Sequence, residues 1–149
     1  MYPGATALED PDRPCFIMAT SGEVVTYGEF EARTNSLAHL LRDQGLQRLD
    51  HYAIFMENNS RYLETCGAGE RAGLFYTPIN SHLTAEEVAY IVDNSESRVF
   101  ITSKEKLDVA RDVVALCPNV ERWLVVDLPG AEAPFEDYAT AVAGYPDTP

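Results

Sequence analysis

Short apolar runs alternate along the chain with longer segments in which apolar positions recur at helical spacing. The runs lack the strict in-and-out alternation of a sheet with one wet face, which indicates strands buried on both faces. They lie at 15–19, 24–25, 51–56, 74–79, 98–102 and 123–126. The intervening pattern predicts helices that start at Thr26 and Thr84 and cover 61–71, 104–116 and 135–142. This alternation predicts right-handed β–α–β crossovers and a mostly parallel sheet with helices on both faces, preceded by a short β-hairpin.

Several predicted helix ends carry their own signals. Thr26–Glu29 and Thr84–Glu87 have the spacing of a capping box, in which Thr and Glu side chains satisfy free backbone amides. Residues 58–60 offer polar caps for the second long helix. Gly45 and Gly73 are placed to end helices in the left-handed conformation. These signals support the helix assignments independently of the apolar pattern.

The chain has 149 residues, which suits one domain. Residues 1–14 are rich in prolines and acids and predict an irregular N-terminal arm, whereas 15–149 predict the α/β domain. The arm lacks the basic-then-apolar pattern of a signal peptide. No apolar run approaches the roughly 18 residues of a transmembrane helix, so none is expected.

The chain is acidic, with a formal net charge of −13 and a sequence pI near 4.4. That balance argues against nucleic acid or an anionic membrane surface as a partner, because both require clustered Lys and Arg. Cys15, Cys66 and Cys117 are odd in number and widely spaced, which suggests neither a disulfide framework nor a zinc site. Buried thiols in a reducing cytoplasm are expected.

Few segments have the pattern of a catalytic or binding motif. The cluster Gly67–Gly73 falls at the middle and end of a predicted helix, where glycines serve close packing and capping rather than phosphate binding. Neither a G-x-x-x-x-G-K-[ST] phosphate loop nor a G-x-S-x-G nucleophile elbow occurs. No catalytic residue is predicted within this chain.

His82 is the histidine whose position is most suggestive of a site. None of His39, His51 and His82 has a second His or a Cys at metal-ligand spacing, so no metal site is predicted. His82 follows the carboxyl end of a predicted strand, the edge at which open parallel sheets bind ligands. A simpler interpretation, a loop residue that shapes the turn, stays open.

A series of short stretches between residues 26 and 103 follows one recognisable order: Thr26–Phe30, Asn35–Ala38, Leu41, Gly45–Leu46, Asp50, Ala53–Ile54, Asn58 or Asn59, Ala72–Leu74, Pro78–Asn80, Leu83, Glu87–Val88, Tyr90–Ile91 and Val99–Ser103. With these stretches the sequence resembles the N-terminal region of the adenylate-forming acyl-CoA synthetases, the superfamily shared with luciferase and peptide-synthetase adenylation domains. The order and spacing of the matching stretches make the resemblance specific. Leu49 departs from it, because the family commonly has glycine before the aspartate at Asp50, and the turn geometry there is left open.

The resemblance implies an ATP-dependent acid–CoA ligase in the complete enzyme. A carboxylic acid is converted to an acyl-adenylate and then to an acyl-CoA, with ATP, Mg²⁺ and CoA. The family's phosphate loop would follow Pro149, so residues 15–149 are expected to be a partial domain, truncated before that loop. Alone, such a chain is expected neither to catalyse nor to bind a cofactor tightly. A basic residue at the place of His82 lies near the CoA end of the site in some members, which implies that role for His82.

Two alternatives compete with the ligase interpretation. The chain could be a freestanding nucleotide- or CoA-binding module with its site around Asn80–Leu83. It could also be a module that forms a homodimer through sheet edges and apolar surface left exposed. Under the ligase interpretation the acyl pocket lies downstream, so the sequence does not identify the acid.

Overall fold

The computed structural model of the chain describes residues 3–149, which contain six α-helices and seven strands. The strands are β1 (Pro14–Ile17), β2 (Val24–Thr26), β3 (His51–Phe55), β4 (Phe75–Pro78), β5 (Val99–Ser103), β6 (Arg122–Val126) and β7 (Phe135–Asp137). The helices are α1 (Pro3–Glu9), α2 (Tyr27–Asp43), α3 (Tyr62–Ala72), α4 (Ala85–Asn94), α5 (Leu107–Leu116) and α6 (Tyr138–Ala143), with a 3₁₀ turn at Lys104–Lys106.

Five strands form one parallel sheet in the order β4-β3-β5-β6-β7, and β1 and β2 form a separate antiparallel hairpin. The prediction of a parallel α/β sheet preceded by a hairpin is confirmed. Along β5 all five residues are buried, since alternate side chains enter opposite cores. Val99 and Ile101 join the core under α2, α3 and α6, and Phe100 joins the core under α4 and α5. Burial on both faces explains why the strands lack polar alternation.

Both predicted capping boxes are present. At the start of α2, the Glu29 amide donates to Thr26 Oγ1 at 3.2 Å, and the Thr26 amide donates to Glu29 Oε2 at 2.9 Å. After the last turn of α2, Gly45 adopts φ +85°, and the Leu46 amide donates a hydrogen bond to the Leu41 carbonyl at 3.2 Å. These contacts satisfy backbone groups that a helix end leaves free, so α2 begins and ends where its sequence predicts.

Residues 3–9 correct the prediction of an irregular N-terminal arm. They form α1, in which Gly4 is buried and which packs against α2. Pro3 suits the first helical position because its φ is already helical. A helix this short is unstable alone, so the contact with α2 decides its conformation, and the apolar pattern carries no signal of it. Residues 1 and 2 of the predicted arm lie outside the described residues.

The predicted start of the last helix was wrong, because Phe135–Asp137 is a strand. Phe135 pairs with Trp123 of β6, and their rings meet edge to face at 5.9 Å between centroids. The helix proper begins at Tyr138, and Asp137 caps it by accepting the Thr140 amide at 2.9 Å. The formation of such a three-residue edge strand depends on pairing with its neighbour β6 rather than on a pattern in its own sequence.

Leu49 adopts the left-handed conformation, with φ +77°. This is the conformation that favours glycine, the residue common in the family at this place. The Leu49 amide donates to the Gly73 carbonyl at 2.9 Å, and the Gln47 amide donates to Asp50 Oδ2 at 2.8 Å. The turn into β3 therefore keeps a glycine-like shape despite the leucine, at a cost of about 1–2 kcal/mol.

Candidate functional site

The candidate site is the edge of the sheet at which β3, β4 and β5 end. Because the three strands are parallel and adjacent, their carboxyl ends meet at the same edge. The segments that leave it are 56–61, 79–84 and 104–106. Open parallel sheets bind their ligands at this edge.

His82 is exposed in the segment that follows β4. The turn is made by Asn80, whose Oδ1 accepts the His82 amide at 3.0 Å and whose carbonyl accepts the Leu83 amide at 3.2 Å. The shape of the turn therefore depends on the side chain of Asn80 rather than on the imidazole. That arrangement leaves the His82 ring facing solvent at the carboxyl edge, able to meet a polar or anionic ligand.

A second feature of this edge is a hydrogen-bonded network around Glu57, which the sequence analysis missed. Ser103 Oγ at the end of β5 donates to Glu57 Oε2 at 2.5 Å. Asn59 Nδ2 donates to Glu57 Oε1 at 3.2 Å, and Asn59 Oδ1 accepts the Arg61 amide at 2.9 Å. The network ties the segment before α3 to the neighbouring strand. Its available signal was that Glu57 and Ser103 each stand at the end of a predicted strand.

Glu64 forms a third polar cluster, buried between helices. It is 1% exposed, and its Oε1 accepts the Tyr138 hydroxyl at 2.8 Å. Its Oε2 lies 3.3 Å from Arg61 Nη1 and 3.8 Å from Arg33 Nη1. Burial raises the pKa of Glu64, while the two arginines and the tyrosine hydrogen bond oppose that shift. The cluster joins α2, α3 and α6, and its contacts hold these helices together.

The glycine cluster packs α3 against its neighbours, as predicted. A Cβ at Gly67 would lie 2.9 Å from Thr34 Cγ2, and a Cβ at Gly69 would lie 2.5 Å from the Tyr52 hydroxyl. Gly73 ends the helix with φ +70°. These glycines allow close helix packing and do not form a phosphate loop.

The other predicted residues lie away from the carboxyl edge. His51 begins β3 at the opposite edge and stacks on Phe75, with 4.9 Å between ring centroids. His39 lies on α2, with Nε2 2.9 Å from the Thr148 carbonyl oxygen. All three cysteines are free thiols; Cys117 is buried and the other two are half-buried. Burial raises the pKa of the Cys66 thiol to about 11.

The side chains of the described residues do not form a group of ligands suited to ATP or Mg²⁺. Within residues 3–149 no three His, Cys, Asp or Glu side chains are grouped so as to hold a metal ion. The sequence has no phosphate loop, and the glycines that could suggest one pack a helix. No step of ATP chemistry is therefore assigned to residues of this chain. Over the same described range, no helix has the length and apolar character needed to cross a membrane.

Comparison with known proteins identifies the family. The profile of the family described as AMP-binding enzyme matches residues 4–146. The chain belongs to this family. It is 31% identical over 121 residues to a 3-oxocholest-4-en-26-oate–CoA ligase of Rhodococcus rhodochrous, covering 81% of this chain and 22% of that protein. It is 30% identical over 109 residues to a medium-chain-fatty-acid–CoA ligase of Ectopseudomonas oleovorans, covering 72% of this chain and 20% of that protein.

Solved structures share the fold. One protein from Rhodopseudomonas palustris, assigned as a long-chain-fatty-acid CoA ligase, superposes with a TM-score of 0.86 at 24% identity, over 97% of this chain and 36% of that one. An anthranilate CoA ligase in complex with anthranoyl-AMP gives a TM-score of 0.87 at 14% identity, over 99% of this chain and 27% of that one. The chain thus spans about a fifth to a third of the length of these relatives and corresponds to their N-terminal region.

Proposed function

We propose that the chain is the N-terminal part of an ATP-dependent acid–CoA ligase. The observation that carries this is the family match over nearly the whole chain, combined with relatives named as acid–CoA ligases of which it covers only a fraction. In the complete enzyme, a carboxylic acid would be activated with ATP and Mg²⁺ and then transferred to CoA. This chain would supply a scaffold that presents the carboxyl edge of its sheet to the rest of the enzyme.

We propose that His82 faces the CoA side of that site. Three features support this: its exposed ring, its place after β4, and a turn whose shape is set by Asn80. An imidazole there could donate to, or pair with, an anionic group of CoA. His82→Ala in the complete ligase should raise the KM for CoA with a smaller change in the KM for ATP. Equal changes in both values would contradict the assignment.

The test of the main proposal is a comparison of two proteins. The 149-residue chain, mixed with ATP, Mg²⁺, CoA and a panel of carboxylic acids, should release no AMP. The same chain continued by the remainder of its reading frame should release AMP with at least one acid. AMP release by the 149-residue chain, or a continuation without ligase activity on any acid tried, would overturn the proposal.

A second candidate is a module that binds CoA or a nucleotide by itself. The exposed loop of Asn80 and His82 favours it, because this loop needs no further segment to form. Isothermal calorimetry of the 149-residue chain with CoA and with ATP separates the two. Binding in the micromolar range would support the module, and no heat at millimolar ligand would remove it.

We also propose a cytoplasmic location, supported by the three free cysteines. Homodimerisation remains the other proposal for an isolated chain, supported by two sheet edges at β4 and β7. Light scattering at rising concentration tests it: a constant monomer mass would exclude the dimer.

A further inference from the structure

The segment that follows α6 lies along α2, held by side chains from one stripe of that helix. Asn35, His39 and Asp43 are spaced four residues apart, so they lie above one another on the same helix face. Asn35 Nδ2 donates to the Asp147 carbonyl at 2.9 Å, and His39 Nε2 lies 2.9 Å from the Thr148 carbonyl oxygen.

The third contact of the stripe involves a side chain of the segment itself. The Tyr145 hydroxyl donates to Asp43 Oδ2 at 2.8 Å, and its ring packs against the core under α2, α3 and α6. Tyr145 therefore anchors the start of the segment, while Asn35 and His39 hold its later residues. We name Asn35, His39 and Asp43 the α2 stripe.

The chemistry of the stripe identifies what it recognises. Two of its three contacts are made to backbone carbonyl oxygens, which every residue carries. A carbonyl oxygen only accepts, so His39 must carry its proton on Nε2 to donate to Thr148. Asn35 is 1% exposed, so its amide is committed to this bond and does not exchange it freely for water. Asn35 and His39 therefore hold the backbone of the segment, whereas Asp43 holds the side chain of Tyr145.

The contacts also locate the segment along α2. Because α2 leads into the start of β3, its last residues lie at the amino edge of the sheet. Tyr145 meets the end of α2, and residues 147 and 148 meet its middle. Asp147 meets Asn35, and Thr148, one residue later, meets His39, which lies one helical turn nearer the end of α2. The segment is therefore held across the second half of α2, between residues 35 and 43.

We infer that the α2 stripe is a docking site for the chain's own outgoing segment, and that Asn35 and His39 are positioning residues that hold the backbone of residues 147 and 148 against α2. The docking itself is supported by the hydrogen bonds of Asn35, His39 and Asp43. Its importance for a ligase site rests on the proposed function, since the relatives continue beyond the region that this chain matches.

Nuclear magnetic resonance of the 149-residue chain tests the docking without any enzymatic readout. A scalar coupling across the hydrogen bond should connect the Asn35 side-chain nitrogen with the Asp147 carbonyl carbon. The backbone order parameters at 147 and 148 should be near 0.85, the value of rigid backbone, rather than below about 0.6. Order parameters below 0.6 in the unmodified chain would overturn the inference.

Variants separate donor chemistry from general packing. Asn35→Asp keeps the side-chain shape but removes the donor, and the order parameters at 147 and 148 should fall below about 0.6. His39→Phe should release Thr148, whereas His39→Gln should keep it in place because glutamine retains a donor. Should Asn35→Asp fail to fold, the two His39 variants, at a half-buried position, carry the test. Order parameters that stay rigid in His39→Phe would contradict the role of His39.

Two further variants serve as matched controls. Ser36→Ala lies on the same helix but removes only a bond to the Ala32 carbonyl, and it should leave 147 and 148 rigid. Asp147→Ala changes the side chain of the docked segment but keeps its carbonyl, and docking should persist. Release of the segment by either control would show that the stripe does not act by recognising backbone carbonyls. None of these outcomes depends on AMP release, so the inference and the proposed function fail separately.

Discussion

The two faces of the five-stranded sheet pack against their helices through different kinds of buried side chains. Under α4 and α5 the core is apolar, with a row of aromatic rings from four neighbouring strands: Phe55, Phe100, Trp123 and Phe135. Under α2, α3 and α6 the packing includes buried polar groups, among them Asn35, Glu64 and Thr65. Both faces have an apolar core, but the second adds an ion pair and a hydrogen bond between its helices, and these require particular atoms to meet.

This difference indicates on which face the buried contacts fix the relative positions of the helices. Buried ion pairs seldom stabilise a protein more than apolar residues of the same size would. The bonds of Glu64 and Asn35 instead fix α3, α6 and the outgoing segment relative to α2. We therefore expect substitutions on the α4–α5 face to change mainly stability, and substitutions on the α2–α3–α6 face to change position as well.

The largest effect is expected from Phe100→Ala on the aromatic face. Phe100 is fully buried between Phe55 and Trp123, with ring centroids 6.2 and 5.0 Å away. Removing the ring leaves a cavity and should lower the free energy of unfolding by about 3–5 kcal/mol, measured by urea denaturation. Tyr90→Ala is the control, because Tyr90 is 72% exposed and its loss should stay within about 0.5 kcal/mol. A decrease in the free energy of unfolding of less than about 1 kcal/mol for Phe100→Ala would mean that the aromatic row contributes little to the stability of this face.

A smaller effect is expected from Gly69→Ala on the opposite face. The added Cβ would lie 2.5 Å from the Tyr52 hydroxyl, and Tyr52 is fully buried, so the helix or the ring must move. Overpacking should lower the free energy of unfolding by about 1–3 kcal/mol, despite the better helix propensity of alanine.

Gly144→Ala is the matched control for that substitution. Nothing lies within 4 Å of a Cβ at Gly144, and its φ of −81° suits alanine. Both variants can be followed by thermal unfolding. Equal melting temperatures for the two would show that α3 has room to shift, and would weaken the contrast between the faces.

The smallest effect is expected from the titration of Glu64. Its pKa is raised in the folded state, first by burial, so the folded protein binds this proton more tightly than the unfolded chain. The corresponding stability is present below the unfolded pKa and is lost as pH rises through the folded pKa. Relative to Glu64→Gln, which does not titrate, the unmodified protein should gain stability as pH falls from 7 towards 4.5, the ordinary value for glutamate.

The measurement is a set of urea denaturation curves for both proteins between pH 7 and 4.5. Glu132→Gln, in an exposed loop, controls for the loss of one negative charge. A stability difference that is constant with pH, or that moves in favour of Glu64→Gln as pH falls, would show that the arginines and Tyr138 outweigh the burial of this carboxyl group.

Much of the fold was predictable because its signals are local. The capping boxes at Thr26 and Thr84 and the left-handed Gly73 depend on residues three or four positions apart. The apolar runs correctly indicated that β3, β5 and β6 are buried on both sides, but they did not show that the edge strand β4 is partly exposed. The strand at Phe135 and the helix at Pro3 were missed, because each forms only against a partner far away in sequence.

The candidate site was predictable only in part. His82 could be placed at a strand end, since the carboxyl ends of parallel strands share one edge. The Glu57 network had only an indirect signal, since Glu57 and Ser103 each stand at the end of a predicted strand. The Glu64 cluster could not be foreseen, because Glu64 meets Tyr138 from 74 residues away. The pattern of a single segment carries no information on such pairs.

The amino-acid sequence by itself determined the class of this protein: short central strands buried on both faces, two helices that begin with capping boxes, an acidic composition and an order of motifs typical of the N-terminal region of acyl-CoA synthetases. Periodicity and capping act within a few residues, so they can be read without the fold. Only the tertiary structure decided that one sheet face carries a row of aromatic rings and the other includes buried polar groups, that Leu49 takes a glycine-like conformation, and that Asn35 and His39 hold the outgoing chain. Those outcomes depend on which distant groups meet and exclude water from one another, and burial of that kind exists only once the chain has folded.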